Sequence, residues 1–79
     1  MPYIRQEDRI RAAHLPETPG ELNYAITEML LDYLNAALNP GYNRMNEILG
    51  VLTCVQQEFY RRVLVELEDR KRAENGDVY

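Results

Sequence analysis

The stretch NRMNEILGVLTCVQQEFYRRVLVELEDRKRAENG, residues 43–76, decides the fold. Met45, Ile48, Leu49, Leu52, Val55, Phe59, Val63 and Leu67 recur at steps of three and four, the spacing of one helix face. Nothing interrupts them until Asn75-Gly76, where glycine supplies a natural C-cap. The spacing predicts one helix over 43–75. Gly50 lies inside it, where another backbone is expected to come close. Cys54 stands in apolar surroundings and reads as a small core residue.

Towards the N-terminus, NPG (39–41) and PETPG (16–20) break the chain. Thr18, Pro19 and Glu21 form a helix-start signature. The threonine hydroxyl can accept from the Glu21 N–H while the glutamate reaches back, and proline occupies the first turn where its missing donor is harmless. Leu22, Ile26, Met29, Leu30, Tyr33 and Ala37 then repeat at helical spacing, predicting a helix over 19–38, with Leu31, Leu34 and Leu38 widening the stripe. A first segment over 5–14, with Ile10 and Ala13 as its apolar side, is short enough to need docking. No alternating pattern occurs. The expected fold is all-α: a small single domain over 1–79, with a short N-terminal helix and an antiparallel pair of long helices.

Composition narrows the function classes. A chain of 79 residues with one cysteine has no intrachain disulfide to supplement a small core. The formal net charge of −4 argues against sequence-independent binding of duplex nucleic acid. No apolar run reaches membrane-spanning length and no signal-peptide core precedes the first helix, so a cytoplasmic protein is expected. Eight of the nine basic residues are arginine, the side chain whose fork fits carboxylate and phosphate.

Helix length bears on assembly. At about 1.5 Å per residue the predicted second helix spans roughly 30 Å and the third roughly 48 Å. The shorter cannot cover the longer, which leaves Val63, Leu64, Val65 and Leu67 uncovered in a monomer. A homo-oligomer is expected.

Four segments carry a family resemblance: MPYIRQEDR at the start, PGELNYAIT opening the second helix, NEILGVLTCVQQEFYRRV in the third, and ENGDVY at the end. Together they resemble a family of short, largely uncharacterised bacterial and bacteriophage proteins. That family usually continues after the arginine pair with a segment like APYED. Here Val65-Glu66-Leu67-Glu68-Asp69 removes the proline and favours an unbroken helix. The resemblance implies a prokaryotic or phage setting, hence a host cytoplasm if phage-encoded, and brings no catalytic assignment.

Catalysis finds little support. His14 and Cys54 are far apart in sequence, no glycine-rich phosphate loop occurs, and no cofactor or metal signature is present. Glu58, with Arg61 and Arg62 at i+3 and i+4, suits an ion pair better than a general base. An enzyme is not expected. Tyr60, Arg61 and Arg62 are instead candidates for gripping a small anionic ligand, the guanidinium forks on phosphate and the ring on a base. Asn23, Tyr24 and Tyr79 are further candidates for the same site.

Two readings follow. One is a non-catalytic oligomer that holds a nucleotide-like molecule at its subunit interfaces; in a phage it would sequester a host defence signal. The other is a structural or regulatory interaction module that dimerises and presents its acidic second helix to a protein partner.

Overall fold

The computed structural model describes residues 2–79, apart from the side chains of residues 11–14, so the His14 side chain lies outside the described residues. The chain is all-α: α1 (Gln6–His14), α2 (Pro19–Asn35), α3 (Tyr42–Phe59), a π-helical turn (Tyr60–Leu64) and α4 (Val65–Asn75). The last three run as one continuous helix of 34 residues. The residues divide into two compact units, Met1–Met45 and Asn46–Tyr79.

In the first unit α1 packs on α2. Glu7 and Asp8 occupy the first turn of α1, where carboxylates favour the exposed N–H groups. Arg5 Nε donates to Asp8 Oδ2 at 3.3 Å. The start of α2 follows the expected cap. Thr18 is extended (φ −127, ψ 159), its hydroxyl accepts from the Glu21 N–H at 3.1 Å, and Pro19 opens the helix. Glu21 reaches one residue further back than a standard capping box, accepting from the Glu17 N–H at 3.2 Å. With 2% of its surface exposed, it is the one fully buried side chain among the described residues.

α2 stops at Asn35, three residues short of the predicted end. Pro40 is the physical reason. It has no N–H to bond back to Ala36, and it disfavours helical backbone at Asn39, so the chain unwinds ahead of it. Arg44 then closes the open end of α2 from across the turn. Its Nε and Nη2 donate to the Tyr33 carbonyl at 3.2 and 3.0 Å, and its guanidinium stacks 3.6 Å from the centre of the Tyr33 ring. A cation on the last carbonyls satisfies both the unpaired acceptors and the helix dipole.

The long helix begins at Tyr42, with the Met45 N–H bonded to the Gly41 carbonyl at 3.1 Å, and ends at Gly76 in positive φ (92°). Glycine fits that conformation without a Cβ penalty. The predicted boundaries thus hold to one residue, but a π turn interrupts the α geometry. The Val65 N–H bonds to the Tyr60 carbonyl five residues back. Sequence spacing accounts for this underwinding. Val55, Phe59, Val63 and Leu67 are separated by three successive steps of four. In an α-helix each such step advances the stripe by about 40°, or about 120° over the three. A wider turn between Phe59 and Leu67 removes much of that drift, just as local unwinding absorbs insertions of four in coiled coils.

Two expectations are corrected in the second unit. Cys54 is exposed, like its apolar neighbour Val55, because a single helix cannot cover its own side chains. Nothing stands within 4 Å of where a Gly50 Cβ would sit, so the expected close backbone is not found. Gly50→Ala should therefore stabilise the helix by about 0.5–1 kcal/mol, read as a higher urea midpoint.

Candidate anion-binding site

Arg61 and Arg62 stand in the π turn, one turn after Glu58 at the end of α3. The Glu58 carboxylate divides its oxygens between them. Arg61 Nη2 donates to Oε2 at 2.7 Å, and Arg62 Nε donates to Oε1 at 2.6 Å. Both distances are those of charge-assisted bonds. The geometry depends on helical spacing, since i+3 and i+4 both return to the face of residue i. Arg61 draws most on the Glu58 carboxyl, with Arg62 next, and together they hold its pKa below the ordinary carboxylate value.

The cluster therefore carries two positive charges against one negative. Each guanidinium has five N–H donors, and each places one of them on Glu58. Both side chains are about 70% exposed, so the remaining donors face outward. Tyr60, at the start of the same turn, is about half exposed. π turns often mark functional positions in long helices. Chemically this is a pair of guanidinium forks sharing one carboxylate.

Because the folded Glu58 carboxyl has a lowered pKa, its contribution to stability is present above the ordinary carboxylate range and is lost as pH falls through the lowered value. The stability difference between wild type and Glu58→Gln should accordingly shrink towards zero on acidification. Urea unfolding at a series of pH values reads it; a difference that grew at acid pH would contradict the pairing.

The other candidate residues stand on other elements. Asn23 and Tyr24 are in the first unit, on α2. The Thr27 hydroxyl bonds both the Asn23 carbonyl, at 2.8 Å, and its side-chain oxygen, at 3.2 Å, so Asn23 serves its own helix. Tyr24 borders a groove of 410 Å³ with Ala25, Glu28, Met29 and Asp32. The nearby Glu28 carboxylate, with partial desolvation, holds the Tyr24 phenol pKa above its ordinary value; the Arg9 charge opposes this. The Arg9 guanidinium lies 5.2 Å from the Tyr24 ring centre, and Arg9 Nε is buried without a hydrogen-bond partner. Sequence reasoning missed Arg9 and Arg44, since neither shows helical pairing with its aromatic partner.

Tyr79 ends a tail that folds beside the last turns of α4. Its N–H bonds Asp77 Oδ1 at 3.0 Å, its ring is exposed, and it borders a groove of 370 Å³ with Lys71 and Arg72. Among the described residues no group of three His, Cys, Asp or Glu could hold a metal ion, and no helix is long and apolar enough to cross a membrane.

A family described as Domain of unknown function (DUF6899) matches residues 1–78. The chain belongs to the DUF6899 family. No curated protein and no solved structure matches it. The DUF6899 match spans both helical units, so it takes in the Glu58 cluster as well as the α2 groove.

Proposed function

We propose that the chain is a non-catalytic, self-associating helical binder of a small anionic, nucleotide-like molecule, with Arg61 and Arg62 as its phosphate grip. The observation that carries this reading is the shared Glu58 carboxylate. It holds two guanidiniums side by side at 2.6 and 2.7 Å and leaves most of their donors exposed. A phosphate taking one N–H edge from each fork meets charge-assisted bonds in paired geometry. Tyr60 offers a ring face beside them for a base or for a cation. Capture without turnover suits this arrangement, because the carboxylate beside the arginines is engaged by both guanidiniums. In a phage such capture would blunt a nucleotide signal of the host.

Calorimetry of the wild-type chain against linear and cyclic nucleotides, ADP-ribose derivatives and inorganic phosphate tests this. Saturable heat with at least one phosphorylated compound is expected. Absence of heat across the panel would reject the reading.

The exposed apolar side chains of the long helix favour a second reading, a helical interaction module. Under it the protein partner, rather than a nucleotide, would be the ligand.

A further inference from the structure

We infer that the seam Val55, Phe59, Val63 and Leu67 is covered by the same seam of a second copy, running antiparallel about a two-fold axis near Val63. The inference rests on the self-association in the reading above and assigns its surface. Phe59, Val63 and Leu67 are 62%, 50% and 41% exposed, and Val55 is 58% exposed.

Helix length excludes the chain's own α2 as the full cover. Its 17 residues span about 25 Å, against about 51 Å for the 34-residue helix. Folded back from the turn at residues 36–41, a helix of that length reaches no further than about Phe59, so Val63 and Leu67 lie beyond it. α1, with nine residues, is already packed on α2.

The π turn is the second argument. Keeping a stripe straight through three four-residue steps gives an isolated helix no gain, since drift in water costs nothing. It is rewarded when another helix lies along the stripe. At roughly 60–120 Å² per large apolar side chain, the seam with Leu64 removes several hundred Å² per copy. That approaches the ~800 Å² per partner of a standard interface.

Charge selects the partner and its direction. Glu58, Arg62, Glu66 and Arg70 are exposed, alternate in sign at steps of four, and stand on one flank of the seam, beginning one residue before Phe59. In an antiparallel pair this flank meets itself. About an axis near Val63, Glu58 lies opposite the second copy's Arg70, and Arg62 opposite its Glu66. A parallel pair would instead set this flank against Tyr60, Leu64 and Glu68, which offer one charge. Arg62 can keep its Nε on Glu58 while turning its other nitrogens to the second copy, which leaves Arg61 beside the interface as the freer fork.

Light scattering with circular dichroism tests the pairing. The wild type should show at least twice the 9.3 kDa chain mass. Val63→Glu should reduce it to one chain with helix retained. Glu66→Arg should weaken association, and Arg62→Glu with Glu66→Arg should restore it. A wild-type monomer, or a mass untouched by Val63→Glu, would overturn the proposal. Direction is read by oxidative cross-linking in a Cys54→Ala background. Phe59→Cys mixed with Leu67→Cys should cross-link better than either variant alone; self-cross-linking of Phe59→Cys as the main product would overturn the antiparallel arrangement. Failed nucleotide binding would leave all these masses unchanged, so the two proposals fail separately.

Discussion

Replacing both Arg61 and Arg62 with alanine is expected to abolish measurable nucleotide binding while the helix persists. Removing one charge-assisted bond weakens affinity roughly ten- to a hundred-fold. Removing two together weakens it by about a hundred- to ten-thousand-fold if they act independently. They are not fully independent, because both arginines are braced by Glu58, and bonds in one network rarely add. Glu58→Gln should change affinity less than the double variant, because loosening both forks and removing the negative charge beside the anion act in opposite directions. Arg61→Ala should leave the oligomer mass unchanged. Arg62→Ala should lower both affinity and association, since its second edge faces the other copy. Tyr60→Phe should retain more binding than Tyr60→Ala if the ring face meets the ligand. Equal binding by wild type and the double variant, measured calorimetrically, would place the ligand elsewhere.

Glu21→Ala should have the largest effect on stability, a loss of about 1–3 kcal/mol. The carboxylate is buried and accepts the Glu17 N–H, so alanine removes that bond and empties the space around it. A domain of this size has a small margin, and the loss should appear as a clear fall in urea midpoint. Glu21→Gln keeps an acceptor of the same reach and should cost less. Thr18→Ala removes the bond that caps the Glu21 N–H and costs about 1 kcal/mol. Because both side chains close one helix start, the double variant should lose less than the two single losses combined. A Glu21→Ala midpoint equal to wild type would show that the cap contributes nothing to the fold.

Local chemistry is legible in the sequence where partners lie within one helical turn. The Thr18 cap, the proline at the start of α2, the glycine stop at 76 and the Glu58 ion pairs all follow from spacing of three or four. The end of α2 is not, because apolar repetition continues to Leu38 while Pro40, through its missing N–H and steric demand, acts on the residues before it. Cys54 escapes for a related reason: apolar neighbours in sequence say nothing about whether a second element covers that side. The π turn is present in the spacing from Val55 to Leu67, but matching residues to a helix template hides three equal steps of four.

Spacing does not reach interactions that cross turns. Arg44 on the Tyr33 carbonyl spans 11 residues, and Arg9 beneath Tyr24 joins two helices. Both depend on how a loop returns the chain, which pattern alone does not specify. Of the six candidate residues, Tyr60, Arg61 and Arg62 share one turn of the long helix, while Asn23 and Tyr24 stand on α2 and Tyr79 in the tail. Arg61 and Arg62 share one carboxylate, whereas Asn23 bonds within α2 and the Tyr79 N–H bonds the Asp77 side chain within the tail.

Native mass spectrometry of the purified chain tests the central claim most directly, since one spectrum reports both assembly and bound mass. The account predicts an even-numbered oligomer of the 9.3 kDa chain that gains the mass of a phosphorylated ligand, with that added mass absent in the Arg61→Ala, Arg62→Ala variant. A single chain carrying no added mass, before and after incubation with the nucleotide panel, would contradict it.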